Sequence, residues 1–278
     1  MNEVLNPFLQ LSPANVILFA DGCVDSSASL AGALLPGKNH LVLSTNDTYE
    51  ICNYRLSLQI AKTWGCKYVA LFQDDDIYDM SIFNWLNYSL KLLEFDRKLA
   101  IIGGNGGGNM GKTPPVVGDE GLKSAVYEPC LIEGKNGFRL GKYEEILVPV
   151  LEKKVNDFLL QYVAVVNRAP QIIRISAADE LNFFPEALEP YQYDDYHNCF
   201  SSWLKGYKIL LMPFRGKKCI FSEGGMRLFN SVTVNSRPEH FIHNWNHILN
   251  KFGDAWNSGE IMHRVNIANR EDDNFPLP

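Results

Sequence analysis

The run from Asn46 to Asp76, NDTYEICNYRLSLQIAKTWGCKYVALFQDDD, constrains the fold more than any other stretch of the chain. Apolar residues at Ile51, Leu56, Leu58, Ile60 and Ala61 predict a helix over residues 48–64. Residues 67–73 (KYVALFQ) then read as a buried strand that ends on three aspartates. A helix feeding an apolar strand is the pattern of an α/β protein, and the rest of the chain repeats it. Strands are predicted at 15–20, 40–44 and 99–102, with a helix over 80–95. The second half offers a strand at 161–166, a short helix at 177–181 and a helix at 193–204. A strand at 208–212 follows, and a polar-aromatic helix over 236–251 enters through Ser236-Arg237-Pro238. Residues 103–137 are rich in Gly and Pro with weak periodicity and read as a long loop region.

Composition fits a globular enzyme. With 278 residues, 46% of them hydrophobic and 21% charged, the chain can bury a sizeable core, and it is neither disordered, collagenous nor coiled-coil. Lys and Arg number 26 against 32 Asp and Glu, a net charge of −6, so no broad basic surface for nucleic acid is expected. Apolar runs such as Tyr68–Phe72 fall far short of the roughly 20 residues of a membrane helix. The N-terminus lacks a basic-then-apolar leader, so no signal peptide is expected. Six cysteines (23, 52, 66, 130, 199, 219) never form a CxxC pair, which suits free thiols in a reducing cytosol. The expected location is cytoplasmic, free or peripheral to a membrane. Without repeats or a Ser/Gly linker, one domain over residues 1–278 is expected, with a mixed, mostly parallel central sheet flanked by helices.

Two acidic clusters carry chemistry. Asp74, Asp75 and Asp76 repel one another at the end of a strand, and a hard divalent cation, Mg²⁺ or Mn²⁺, would relieve that repulsion. Ligands in α/β sheets sit at the carboxyl ends of strands, where these residues fall. A solvated turn with a capping aspartate is the other reading of the triplet. Asp194 and Asp195 open the predicted helix at 193–204, where backbone N–H groups and the helix dipole hold a carboxylate. That arrangement suits a general base, and it equally suits plain helix capping.

Together these segments resemble the nucleotide-sugar glycosyltransferases of the GT-A fold, family 2 in particular. Asn53-Tyr54-Arg55 stands where the family has a "YNR"-like helix element, and Asp74-Asp75-Asp76 stands at its DxD motif. Asp21-Gly22-Cys23-Val24-Asp25 is similar to the family's "DGSxD" turn, and Asp194-Asp195 to the "ED" pair that opens an acceptor-side helix. The resemblance implies a metal-dependent, inverting transfer of a sugar from a UDP-, GDP- or dTDP-sugar to a glycan, glycolipid or protein hydroxyl. Asp74 and Asp76 would hold Mn²⁺ or Mg²⁺. Asp21, Asn46, Arg55, Asp75 and Arg227 would contact the donor, and Asp195, with Asp194 beside it, would serve as base. Residues 15–110 would form the nucleotide-sugar and metal half, and 160–278 the acceptor half with the C-terminal helices. Family members begin with a strand that has no counterpart before Asn15, so the expectation is that the sheet closes differently, that a second chain supplies a strand, or that base recognition is altered; a homodimer is among the expected partners. A degenerate scaffold that kept this fold without turnover, and a nucleotidyltransferase using acidic metal ligands, are the alternatives.

Other signals are weaker. Residues 106–113 (GGGNMGKT) formally match a phosphate-binding P-loop, but Pro114-Pro115 follow at once and cannot open the helix that such a loop needs. His240, His243 and His247 share one helix face at a spacing that zinc sites use, although the interleaved Phe241, Ile242, Trp245 and Ile248 favour half-buried packing. Tyr191 and Tyr193 are offered as platforms for a sugar ring.

Overall fold

The computed structural model describes residues 15–23, 25–35, 40–73, 76–106, 138–139, 147–148, 153–155, 158–190, 192–214, 217–218, 238–271 and 275–276. Apolar runs become strands and amphipathic runs become helices largely where periodicity puts them. β1 (Val16–Asp21) and β2 (His40–Thr45) pair in parallel from Val16↔His40 to Asp21↔Thr45, with α1 (Ser27–Leu34) between them in sequence. Asp25 Oδ1 accepts the Ser27 amide at 2.9 Å in the turn that leads into α1. α2 (Tyr49–Thr63), β3 (Tyr68–Leu71), β4 (Asp76–Ile77), α3 (Ile82–Phe95) and β5 (Leu99–Gly106) follow. β6 (Phe138–Arg139) pairs with β7 (Leu147–Val148). Then come β8 (Lys153–Val155), β9 (Phe158–Tyr162), β10 (Val166–Arg174), α4 (Ile175–Leu181), α5 (Asp194–Leu204), β11 (Lys208–Leu211), β12 (Lys217–Lys218), α6 (Pro238–Asn257) and α7 (Glu260–Glu271).

The protein is thus α/β, with a mixed sheet flanked by helices. Its six-stranded sheet runs β3-β10-β5-β11-β9-β8. The expectation of a mostly parallel sheet is corrected here. Only β5 and β11 pair in parallel within it, whereas β10 is antiparallel to both β3 and β5, and β9 is antiparallel to β11 and β8. The reason lies in the connections. A parallel neighbour needs a crossover of roughly a dozen residues, and the link 156–157 between β8 and β9 is too short for one. The single strand expected at 161–166 is likewise divided, its start belonging to β9 and its end to β10.

The two ends of this sheet differ in kind. At the amino ends of β3, β5 and β11, Arg174 closes the structure. Its Nε donates to Leu99 O at 2.9 Å and Nη2 to Asp96 O at 3.0 Å and to Leu93 O, satisfying carbonyls at the end of α3. Lys208 Nζ adds an ion pair to Asp96 at 2.9 Å. The carboxyl ends of the same three strands lead into residues 72–75, 107–137 and 212–237. Between the two ends the core is filled by Trp85, Tyr88, Phe184, Phe200 and Trp245, all nearly fully buried. Two glycines in β5 permit the tightest approaches, since a Cβ at Gly103 would lie 2.4 Å from Val166 Cβ, and one at Gly104 would lie 2.6 Å from Phe214 O. Cys23, Cys52, Cys66 and Cys199 are free thiols, with Cys199 in the core. Among the described residues no helix is long and apolar enough to cross a membrane.

Candidate active site

The first turn of α2 is a hub. Asp21, the last residue of β1, reaches across to it and is held by donors. Its Oδ1 accepts from Thr45 Oγ1 at 2.7 Å and from the Thr48 amide at 2.8 Å, and its Oδ2 accepts from the Tyr49 amide at 2.8 Å. A carboxylate from another element therefore does the work of a helix cap, in the favourable field of the helix N-terminus. Asn46 stands exposed in the adjoining turn, beside Asp47 at φ 55°. From the same turn, Glu50 Oε1 accepts from Gln73 Nε2 at 3.4 Å, tying α2 to the chain as it leaves β3 towards the acidic triplet. On the far side, the Ile51 amide donates to Pro190 O at 3.4 Å, and the Tyr54 and Phe184 rings lie 5.3 Å apart. Arg55 pairs with Glu189, as an ion pair rather than an aligned hydrogen bond, and its Nη1 is buried without a hydrogen-bond partner among the described residues. Asp21 and Asn46 thus stand at the start of α2, while Arg55 lies further along the same helix against Glu189.

That launching segment is unusual in its backbone. Asn182, Phe184, Gln192 and Tyr193 all have positive φ, and the Glu189–Pro190 peptide is cis. Tyr193, at φ 67°, is a bulky residue in the left-handed region directly before Asp194, a conformation that persists only where the surroundings enforce it. Asp194 is fully buried and Asp195 is 9% exposed, both in the first turn of α5. The direction of α5 follows from its anchors. Trp203 Nε1 donates to Val163 O at 3.1 Å, and the Val163 amide donates to Ile209 O at 3.2 Å, near the start of β11. One turn earlier, Cys199 Sγ lies 4.0 Å from Val166 O, and Val166 pairs with Gly106 at the end of β5. Asp194 and Asp195 lie one further turn towards the N-terminus of α5.

Asp76 lies beyond the carboxyl end of β3, a strand parallel in direction to β5 and β11 through the intervening β10. It is 3% exposed and accepts a hydrogen bond from Tyr78 Oη at 3.2 Å. Tyr78 is fixed by Phe72 at 5.2 Å and Phe214 at 6.1 Å between ring centroids. Through β4, Asp76 pairs its backbone with Lys218 of β12, so the chain beyond β11 returns to the acidic strand. Asp76, Asp194 and Asp195 are the buried carboxylates among the described residues, Asp76 beyond the carboxyl end of β3 and the other two in the first turn of α5. Burying a carboxylate costs several kcal/mol unless charge or hydrogen bonds compensate it. Oxygen donors of this kind suit a hard cation such as Mg²⁺ or Mn²⁺. No group of three His, Cys, Asp or Glu side chains converges among the described residues.

Asp74, Asp75 and Arg227 lie outside the described residues, as do residues 107–113 of the glycine-rich motif and Tyr191. Tyr193 is placed, and it is no open platform, because its ring is buried against Tyr196 at 5.9 Å and Trp245 at 5.5 Å. Burial pushes its phenol pKa up. Glu50, Gln73, Tyr78 and Glu189 were not singled out from sequence. Only the position of Gln73 and Tyr78 beside the acidic triplet could have flagged them. No protein-family model matches the chain, and no curated protein is detectably similar to it.

Proposed function

We propose that the protein is a metal-dependent, inverting glycosyltransferase that moves a sugar from a nucleoside-diphosphate sugar to a hydroxyl acceptor. The observation that carries this reading is that the buried carboxylates among the described residues, Asp76, Asp194 and Asp195, all fall among those assigned to metal and base. Asp76, with Asp74 from the same triplet, would hold the cation. When bound, that ion stabilises negative charge on the departing diphosphate. Asp195, the more exposed of its pair, takes the proton of the acceptor hydroxyl as that oxygen attacks the anomeric carbon from the face opposite the diphosphate. Asp194 lies beside it in the same turn, where the N-terminal field of α5 favours negative charge. No nucleophile of the protein enters, so one displacement inverts the anomeric configuration. Arg55 and Asn46 flank the donor side, and Asp21 acts indirectly by fixing the turn between them.

Thermal shift with UDP, GDP, dTDP and CMP, each with and without Mn²⁺, tests the donor site. A ligand at a hundred times its dissociation constant raises stability by about 2.7 kcal/mol. The expected result is one nucleoside diphosphate that stabilises only with metal, an effect lost in Asp76→Ala. Asp195→Asn should keep that binding and lower turnover by about 10²–10⁴-fold. No shift with any nucleotide would remove the donor site and leave a scaffold, whereas pyrophosphate release would indicate a nucleotidyltransferase.

A further inference from the structure

The transferase reading leaves unused a basic cluster between α5 and α6. His197 of α5 is fully buried, and Lys251 Nζ lies 2.7 Å from its Nε2. With the ammonium donating there, the ring proton sits on Nδ1. That nitrogen and Nε2 of His247 are both buried with no hydrogen-bond partner among the described residues. The His197 and His247 rings lie 6.0 Å apart. His243, His247 and Lys251 follow one another at successive turns on one stripe of α6. Phe252 forms an aromatic wall, edge-on to His197 at 5.5 Å and with Lys251 over its ring at 5.3 Å.

The sign of the charge decides what such a cluster takes. No Asp or Glu among the described residues pairs with Lys251. Asp254, one turn further on α6, is exposed, and Asp194, one turn before His197 on α5, makes no ion pair with that ring among the described residues. A metal ion at this cluster would meet an ammonium 2.7 Å from His197 Nε2, which disfavours a cation here. Burial first, then Lys251 and His247, push the His197 pKa down to about 3. Burial first, then Lys251 and His243, hold His247 below its usual value, and burial lowers Lys251. All three groups are driven towards their uncharged forms, by burial in each case and for the two imidazoles also by neighbouring positive charge.

We propose that this cluster is a binding site for a phosphate group, free or terminal on a monoester, held by Lys251, His247 and His197 with His243 at the rim. A phosphate supplies the missing negative charge and several strong acceptor oxygens for the ammonium and the orphaned imidazole nitrogens. The site needs no metal and does not depend on the transferase assignment.

Calorimetric titration with inorganic phosphate and with methyl phosphate tests it, at pH 7 in EDTA with ionic strength held constant by chloride. Saturable binding is expected, at least about tenfold weaker in Lys251→Met and His247→Gln. It should be unchanged in Lys91→Met, which removes the same charge from the exposed face of α3. The two variants change partly exposed side chains, so folding is retained. Imidazole ¹⁵N spectra should show the His197 and His247 signals moving with phosphate, which binding elsewhere would not produce. Tighter binding of methyl phosphate identifies a ligand-borne group, and equal binding identifies free phosphate. No saturable binding to either ligand, or equal affinity in Lys251→Met and the parent, overturns the proposal.

Discussion

A methyl group added at Gly103 would lie 2.4 Å from Cβ of Val166, a β-branched side chain in the neighbouring strand with little freedom to move. Gly103→Ala is therefore expected to cost about 1–3 kcal/mol as overpacking, read from the urea midpoint. At Gly32, exposed within α1 with nothing within 4 Å of its virtual Cβ, the same change should stabilise by about 0.5–1 kcal/mol. Sequence alone does not separate these two glycines, because the difference is a cross-strand contact. A second residue-scale prediction concerns His197. Its folded pKa is depressed to about 3 by burial and by the Lys251 charge, against about 6.5 in the unfolded chain. Below pH 6.5 the unfolded state binds a proton that the folded state refuses, so stability is full above 6.5 and falls as pH drops towards 3. The slope from this group approaches about 1.4 kcal/mol per pH unit. His197→Leu should flatten that acid limb in urea midpoints measured from pH 7 to 4, and an unchanged slope would remove His197 as its cause. The acidic positions themselves were legible because each cluster is contiguous in sequence. The partners of Arg55 and Glu50 were not, because Glu189 and Gln73 meet α2 only in three dimensions.

Among the elements, α2 shows how much a motif can conceal. Its helical pattern was readable from spacing, as was the strand after it, but the clamp at its start joins residues 24 to 28 positions apart. The resemblance gives Asp21 to the nucleotide, whereas the structure shows its carboxylate accepting from Thr45, Thr48 and Tyr49. Asp21→Ala should accordingly cost about 2 kcal/mol, the upper range for a lost cap, since several charge-assisted bonds go together. Amide exchange should accelerate chiefly at residues 48–51, with Asp21→Asn intermediate. A fall in nucleotide affinity without loss of stability would instead return Asp21 to direct donor contact. The boundaries that sequence missed have similar causes. An uninterrupted apolar run hides the point at which β9 leaves β11 and β10 enters between β3 and β5. The last expected helix stops at residue 251, but the observed α6 runs to Asn257, and Gly259 at φ 77° then breaks the chain before α7. In α7 the buried face is formed by Ile261, Val265 and Ala268 at i, i+4 and i+7, with Asn269 beside them exchanging hydrogen bonds with the Tyr162 backbone.

At the scale of the whole molecule, stability is distributed unevenly. Strands β5, β10 and β11 hold nearly dry positions at Ile101, Ile102, Ile172, Ile173, Ile209 and Leu210. In β1 and β2, by contrast, Ala20 is the fully buried residue, although both strands are just as apolar in sequence. Among the described residues these two strands pair only with each other, and a two-stranded sheet is marginal by itself. Sequence could report their apolarity but not how little of it is covered, since coverage depends on which strands become neighbours. Native-state hydrogen exchange should therefore resolve two levels, with amides at 16–21 and 40–45 opening at lower free energy than those at 99–102, 171–173 and 209–211. Asp21, Asn46 and Arg55, proposed for the donor side, belong to the weaker level or to the helix packed beside it. A nucleoside diphosphate with Mn²⁺ that binds there must stabilise that level by its own binding free energy, so protection at 16–21 and 40–45 should rise towards that of the six-stranded sheet. Equal protection of the two regions without ligand would mean that β1 and β2 are covered as well as the central strands. A rise confined to the central strands would move the nucleotide away from Asp21 and Asn46 altogether.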